Sequence, residues 1–246
     1  MSAFSELLRQ WRKTRRFSQL DLALEAEVSA RHISFLETGR AQPSRAMVLQ
    51  LGEALSAPLD VRNLMLKAVG YTSEYAASDW DAVDMAPIRQ AIQWTLERHA
   101  PYPGFALDRC WTIAAMNAPA RTLFGAFGAE VGTSLLDLIL SPVAQAAIEN
   151  WPEVAYHTAR RLRSESAAVG GIEALEHAAN QLVRHGAVHP VHSPTVPTVF
   201  RMGAQRLSLF GTIAQFSTTA DETVDDLKIE LFFPSDEDSA EFLQNL

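Results

Sequence analysis

The fold of this chain is constrained most strongly by two short amphipathic segments, residues 18–26 and 29–37, on either side of a tight turn. Each begins with a serine, a favourable N-cap residue, and each has apolar residues at helical spacing. Glu27 lies in the turn between the segments, and Gly39 stops the second one. Two short helices that cross at such a turn need a small residue at the crossing, where the sequence has Ala23. The pattern predicts a helix-turn-helix.

The same spacing predicts which side chains of the two helices face inward. In the first helix, Leu20, Ala23 and Leu24 are expected to face the core. In the second, Ile33 and Leu36 are three residues apart and are expected to pack back on the first helix.

Further helices are predicted on both sides of this motif. A first amphipathic helix has a basic face opposite an apolar stripe that consists of Phe4, Leu7, Leu8 and Trp11. Two more helices are predicted to begin after Pro43 and at Pro58, because proline is favoured at helix starts. Residues 1–70 are therefore expected to form an all-α bundle of about five helices.

The charge of the chain is distributed unevenly. The net charge is −8, but residues 1–70 hold ten Lys and Arg against seven Asp and Glu, a net charge of +3. The remaining residues hold 11 basic and 22 acidic side chains, a net charge of −11. Since phosphate binding depends on local positive potential, the N-terminal region can bind DNA while the acidic remainder stays away from it.

The segment SQLDLALEAEVSARHISFLETGRAQPS resembles the helix-turn-helix of the Xre family, relatives of phage repressors, and the resemblance covers about the first 70 residues. In that family the third helix enters the major groove. By position, the resemblance implies phosphate contacts from Gln19, Ser29, His32 and Arg40. It implies base contacts from Ala30, Arg31, Ser34 and Phe35, with Arg31 suited to guanine and Phe35 or Ala30 to a thymine methyl.

Glu27 departs from that family, many of whose members have Gly or Asn at the turn. A non-glycine residue with positive φ there costs about 1 kcal/mol, which does not endanger the fold. Its carboxylate would lie near phosphates and reduce DNA affinity. Helix-turn-helix units also serve as protein-interaction modules, but the basic first helix favours DNA.

Length and composition agree with a two-domain globular protein. The chain has 246 residues, 48% hydrophobic and 20% charged, against about 150 residues for a typical domain. Its apolar runs are shorter than the roughly 20 residues of a membrane span. The N-terminus does not resemble a secretory signal, and Cys110 is the single cysteine, so a reduced, cytoplasmic location is expected.

The second half of the chain is expected to be an α+β domain, residues 91–246, after a polar and acidic connector at residues 71–90. An antiparallel sheet with helices packed on one side is predicted. Helices are predicted at residues 86–99, from Asn117 through Phe124, at 142–168 and at 172–184. Strands are predicted at residues 104–107, 111–116, 199–202, 207–216 and 227–233.

This half resembles the PAS-like ligand-binding domain of MmyB-like regulators. The resemblance is carried by FALDRCWTI at residues 105–113, Met116-Asn117, LSLFGTIAQF at 207–216 and LKIELFFP at 227–234. It implies a pocket for a small, largely apolar effector such as a fatty-acyl compound. Independently, the aromatic and methionine residues suggest a pocket, although each alone is expected in an ordinary core. The predicted ligand-binding residues are Trp94, Phe105, Trp111, Met116, Phe124, Tyr156, Phe200, Met202 and Phe210.

No known catalytic motif is found in the sequence, so an enzyme is not expected, and neither a cofactor nor a metal is predicted. His185, His189 and His192 have a spacing at which a metal is conceivable, but a solvated loop is favoured. Cys110 follows Arg109, which could lower its pKa and make it a redox sensor, although a structural role is favoured. Arg160, Arg161 and Arg163 are interpreted as a solvated helix face, with pairing to an anionic head group as the alternative. Asp225, Asp226 and Glu230 are interpreted as solvated surface.

The sequence therefore predicts a homodimeric transcription regulator, most simply a repressor, that binds a palindromic DNA operator and senses a small molecule. Two alternatives stay open. The second domain could bind a partner protein, which would make the chain an adaptor or antitoxin-like repressor. It could also act enzymatically on its ligand.

Overall fold

The computed structural model describes residues 2–183, 195–203 and 205–246. The chain divides into two compact units. The head unit comprises Met1–Asp79, Ala167–Gly170 and Thr218–Asp225, and the body unit comprises Trp80–Ser166, Gly171–Ser217 and Asp226–Leu246. The chain therefore passes from one unit to the other at five points.

Residues 2–79 form the five predicted helices of the head unit. Their core contains large side chains that are fully buried, among them Phe4, Leu8, Leu51 and Met65. Serine side chains accept the backbone N–H groups at the starts of α1 to α4, which confirms the predicted N-caps Ser18 and Ser29. The helices are α1 (Ala3–Thr14), α2 (Gln19–Glu25), α3 (Ala30–Glu37), α4 (Arg45–Ala54) and α5 (Leu59–Lys67).

The predicted orientation of α2 is partly wrong. Ala23 is buried as expected, but Leu20 and Leu24 are 58% and 70% exposed, and Leu22 is fully buried instead. The helix begins at Gln19, and its buried face runs through Leu22 and Ala26, which are four residues apart. Leu20 and Leu24 are also four apart, but they lie on the opposite face. The inward prediction for Ile33 and Leu36 of α3 is confirmed.

A buried carboxylate connects three helices of the head unit. Glu37 on α3 is 2% exposed and accepts hydrogen bonds from Arg12 Nε (2.6 Å) and Nη2 (3.0 Å) on α1. Gln19 Nε2 on α2 donates to the same carboxylate at 2.7 Å. Burial raises the pKa of Glu37, but these hydrogen bonds and the nearby positive charges hold it below the ordinary value.

The head unit also includes two segments from later in the chain. Asp221 forms an isolated parallel bridge with Ala76, and its side chain accepts the backbone N–H of Ser78. Glu222 accepts a hydrogen bond from Asn63 on α5. These contacts attach residues 218–225 to the C-terminal end of the five-helix bundle.

The body unit contains a five-stranded antiparallel sheet, which confirms the predicted α+β class. The strand order is β2-β1-β5-β4-β3. The strands are β1 (Gly104–Leu107), β2 (Ile113–Met116), β3 (Thr198–Met202), β4 (Gln205–Ala214) and β5 (Lys228–Pro234). The helices from Val83 onward are the 3-10 helix Val83–Met85, α6 (Ala86–Arg98), α7 (Ala118–Gly125), α8 (Leu135–Leu140), α9 (Pro142–Ala147), α10 (Trp151–Ala168), α11 (Glu173–Leu182), α12 (Glu222–Asp226) and α13 (Glu237–Gln244).

Helices cover both faces of this sheet, so the expectation of a single covered face is wrong. Successive side chains of a strand point to opposite faces. Ala106 of β1 packs with Ile92 and Leu96 of α6, whereas Phe105 and Leu107 pack on the other face. There the core also takes in residues of α7, α10 and α11.

The predicted helix at residues 142–168 is divided into α9 and α10. At the break, Ile148 forms an isolated bridge with Phe200 of β3, and Glu149 N donates to Val199 O at 2.7 Å. The Asn150 side chain accepts from Val199 N at 3.0 Å. Because these backbone groups bond to a strand distant in sequence, the helix cannot continue through them.

Asn117, the predicted start of α7, is buried and uses its whole side chain. Its Oδ1 accepts from Gly104 N (3.1 Å) and Ala120 N (3.0 Å). Its Nδ2 donates to Leu96 O and Tyr102 O, both at 2.9 Å. One side chain thus joins β1, α6 and α7. In the part of the chain that the structure describes, no helix is long and apolar enough to cross a membrane.

We expect Glu37→Ala to lower the free energy of unfolding by about 3–5 kcal/mol, because it leaves the Arg12 guanidinium without its buried partner. Urea unfolding followed by circular dichroism measures the change. Glu25→Ala, an exposed carboxylate on α2, is the matched control and should change the value by less than about 0.5 kcal/mol.

The stabilisation from Glu37 should also depend on pH. Because its folded pKa lies below the ordinary value of 4.5, the contribution is fully present above about pH 4.5 and is lost as the pH falls through the folded value. The difference between wild type and Glu37→Ala should therefore shrink in acid. An unchanged difference from about pH 7 to about pH 3 would contradict this assignment.

Candidate DNA-reading face and effector cavity

The eight residues predicted to contact DNA lie on α2, on α3 or in the turns beside them, and none of them is buried. Three are exposed, namely Ser29, Arg31 and Arg40. The other five are half-buried, namely Gln19, Ala30, His32, Ser34 and Phe35. The local fold thus leaves one face of α3 accessible to a partner, and the DNA contacts themselves stay predictions.

Gln19 is the first residue of α2, and its amide is held by Glu37. The bond uses one of the two amide N–H groups, so the other is available to a phosphate oxygen. Asp21 places a carboxylate at the same helix end, where hydrogen bonds from the Ser18 backbone and hydroxyl keep its pKa low. This negative charge opposes phosphate binding next to Gln19.

Arg31 and Phe35 form one element of the exposed face of α3. The guanidinium carbon of Arg31 lies 5.1 Å from the centre of the Phe35 ring, a cation–π arrangement. Ser29 Oγ accepts the backbone N–H of His32 at 3.2 Å, which leaves its hydroxyl proton free to be donated. A guanidinium, an aromatic ring and a free hydroxyl are side-chain groups of the kinds that contact base edges and phosphates, so this face agrees with the prediction.

The turn between α2 and α3 has the strain that the sequence predicts. Glu27 has a φ of +49° and an exposed side chain. Val28 N donates to Ala23 O at 2.8 Å across the turn. A residue other than glycine is therefore tolerated at the left-handed position, and its carboxylate lies beside the predicted reading helix.

The body unit contains a cavity of about 270 Å³ between the sheet and the helices that follow β2. Its walls are mainly apolar side chains from β1, β3, β4 and β5 and from α7 to α10. Phe124 contacts three other aromatic rings of the wall. The centroid of its ring lies 5.3 Å from that of Phe105, 5.7 Å from that of Phe200 and 5.9 Å from that of Phe232. Such a concave apolar space is the usual form of a small-molecule site.

Four of the nine predicted ligand-binding residues line this cavity: Phe105, Trp111, Phe124 and Phe200. The structure places the other five away from its walls, which corrects the predicted lining. Trp94 and Tyr156 are 52% and 38% exposed on their helices, and Phe210 points to the sheet face opposite Leu209 and Gly211. Met116 and Met202 end their strands and pack elsewhere in the core.

Most residues of the apolar wall are not among the nine predicted ligand-binding residues. Phe232 could have been found from alternation in β5, where residues 228, 230 and 232 share one face. For the wall residues on α8 to α10, no sequence pattern indicates which side chains face the cavity. That depends on how these helices pack against the sheet. The missed apolar wall residues are Phe127, Leu135, Leu138, Ile139, Ala144, Ile148, Trp151, Val154, Val196, Leu209, Gly211 and Phe232.

Two charged side chains, Arg161 and Glu230, line one part of the cavity wall. They form a bidentate ion pair, with Arg161 Nη1 and Nη2 at 2.7 and 3.0 Å from the two carboxylate oxygens. Glu230 is 5% exposed, so its assignment to a solvated carboxylate cluster is wrong. Arg161 is 29% exposed but bonded to two carboxylates, so its interpretation as a solvated side chain is only partly correct, whereas Arg160 and Arg163 are exposed as expected.

A second ion pair supports the first. Glu165 accepts from Arg161 Nε (2.7 Å), from Trp111 Nε1 (2.9 Å) and from Lys228 Nζ. Burial lowers the pKa of Arg161, but the two carboxylates raise it above its ordinary value. Burial raises the pKa of Glu165, but its cationic neighbours bring it below its ordinary value. Burial lowers the pKa of Lys228, and the hydrogen bond and charge of Glu165 oppose that shift. The network thus joins two basic and two acidic side chains.

Cys110 loses support as a redox sensor. Partial burial and the charge of Asp108 raise the pKa of Cys110, while Arg109 opposes the shift and forms an ion pair with Asp226 at 2.9 Å. A raised pKa disfavours a reactive thiolate. Among residues 2–183, 195–203 and 205–246, no cluster of metal-binding side chains is found. His185, His189 and His192 lie outside the described residues.

Two family models match this chain. The model of the MmyB-like transcription regulator ligand binding domain matches residues 88–246, more than half of the chain. The chain belongs to the MmyB-like transcription regulators. A helix-turn-helix domain model matches residues 3–65, in agreement with the head unit. No match to a curated protein was found.

The two matches establish a DNA-binding transcription regulator with a ligand-sensing domain. In this MmyB-like regulator, α2 and α3 occupy the helix-turn-helix match, and the cavity lies wholly within the ligand-binding match. Both matched families consist of regulator domains and not of enzymes.

For the reading face, we expect Arg31→Ala to weaken binding to an operator selected from random DNA by about 1–3 kcal/mol and to relax preference at one base pair. Gln19→Ala should weaken binding to operator and random DNA alike, because a phosphate contact carries no sequence information. Lys67→Ala, which removes an exposed cation on α5, is the control and should have little effect. Electrophoretic mobility shifts measure both affinities, and equal losses for Arg31→Ala on the two DNAs would exclude base reading by Arg31.

Proposed function

We propose that this protein is a homodimeric, Xre-type repressor that releases its operator when the body unit binds a small, largely apolar effector such as a fatty-acyl compound. The observation that carries the proposal is the aromatic-lined cavity of about 270 Å³ in the body unit. Its walls consist mainly of apolar side chains, so they favour an apolar ligand through the hydrophobic effect.

The homodimer follows from the size of the reading element. One monomer offers a single helix of eight residues, α3, for the major groove. Two such helices related by a two-fold axis match half-sites one helical turn apart, and the doubled contact supplies operator-level affinity. We assign the dimer contact to the body unit, because the reading face must stay free.

Chain connectivity supports a link between effector and operator. Residues 167–170 of the head unit continue α10, and residues 218–225 connect β4 with β5. All three elements contribute residues to the cavity wall. A ligand that shifts α10 or the two strands therefore acts on chain segments that belong to the head unit. The effector then changes operator affinity if it binds two states of the protein, which differ in DNA affinity, unequally.

A body unit that binds a partner protein is the competing function. Native mass spectrometry of protein purified from its host distinguishes the two. A co-purifying small molecule supports the sensor, whereas an added mass of protein size supports the adaptor.

We expect Ala144→Phe to abolish effector binding, because a phenyl ring on α9 would occupy the cavity that Ala144 lines. Operator binding without effector should remain, and the effector should no longer release the DNA. Ala146→Phe, an exposed position on the same helix, is the control and should respond like wild type. Normal release by the Ala144→Phe protein would show that the effector acts elsewhere.

A further inference from the structure

The charged side chains of the cavity wall restrict which polar group the effector can have. Arg161 and Glu230 are its charged members among the described residues, and they are bonded to each other through two parallel N–H to oxygen bonds. Bidentate guanidinium–carboxylate pairs are strong and directional. The cation that could receive an anionic ligand is thus already occupied by a carboxylate of the protein.

The surrounding residues hold this pair in place. The third guanidinium nitrogen, Arg161 Nε, donates to Glu165, which also binds Lys228 and Trp111. The Trp111 ring contacts both cations, with Arg161 Cζ 4.5 Å and Lys228 Nζ 4.2 Å from the ring centre. Two basic and two acidic side chains are therefore bonded within one network. Arg161 cannot turn to a ligand without breaking bonds to both carboxylates.

An ionised ligand would disturb this network. A carboxylate that enters the cavity loses its hydration and meets Glu230 at close range, and the described wall residues include no unused cation to compensate. An ammonium group meets the Arg161 cation in the same way. An uncharged group avoids both penalties, and the guanidinium still has two of its five N–H groups to donate. The hydroxyls of Thr158 and Thr198 and the ring of His157 add hydrogen-bonding partners in the wall.

We infer that the effector ends in an uncharged hydrogen-bonding group, such as an alcohol, ester or amide, and that the Arg161–Glu230 pair discriminates against the free carboxylic acid. This inference rests on the proposed sensor function. The cavity volume of about 270 Å³ lies just below the usual range for small-molecule sites, which suits a small ligand of roughly ten non-hydrogen atoms.

The test compares three ligands that differ only in the end group: octanamide, octanol and octanoate. Each is titrated calorimetrically into wild-type protein freed of bound ligand, at about pH 8, where the acid is ionised and histidine is ordinarily neutral. We expect the amide and the alcohol to bind at least about tenfold more tightly than octanoate.

A variant tests the role of the ion pair. Glu230→Gln keeps the shape of the side chain but frees the Arg161 guanidinium, so octanoate should gain affinity relative to octanamide. Arg160→Gln removes a neighbouring exposed cation of α10 and should leave the preference unchanged. Thermal unfolding of each variant shows whether it is folded, and the wild-type comparison decides the inference without them.

The outcomes separate the two proposals. Tighter binding of octanoate than of octanamide to wild type overturns the uncharged end group but keeps the sensor. Binding of octanamide that survives Ala144→Phe places the ligand outside the cavity and overturns both. If none of the three ligands binds, the proposal of an apolar effector of this size is overturned. The inference about its end group is then overturned as well.

Discussion

The carboxylate of Glu37 is the contact on which the head unit depends. It receives Arg12 from α1 and Gln19 from α2, and the Glu37 carbonyl also accepts from Arg9. Three helices are thereby joined at the base of α3. Because α3 carries the predicted DNA-reading face, the same buried contact that stabilises the bundle also fixes the orientation of that face. A core residue thus positions the surface that is predicted to bind DNA.

The head unit could be predicted from sequence because its signals are local. Ser18 and Ser29 cap helices that start at the next residue, and the left-handed turn at Glu27 lies between them. The prediction failed where two helical faces were both apolar, since Leu20 and Leu24 suit an inward stripe as well as Leu22 does. Only the packing of α2 against its neighbours chooses between the two stripes.

The body unit was predicted less completely because its decisive contacts are distant in sequence. The break between α9 and α10 depends on strand β3, which lies about 50 residues later in the chain. Strand positions were predictable, but the cavity wall required knowing which face of the sheet each residue occupies. Arg161 and Glu230 are 69 residues apart, so no local pattern joins them. Each looked like solvated surface on its own.

Stability alone is a weak reason for an ion pair in a cavity wall. Two charges lose hydration there, and apolar residues of similar size often stabilise a protein as well or better. Specificity gives a better reason, because a purely apolar cavity distinguishes poorly between molecules of the same shape. Arg161 and Glu230 would each repel a ligand ion of its own sign, while the aromatic side chains of the wall still favour an apolar ligand. Under this proposal, the sensor binds a neutral compound more tightly than the charged acid of the same length.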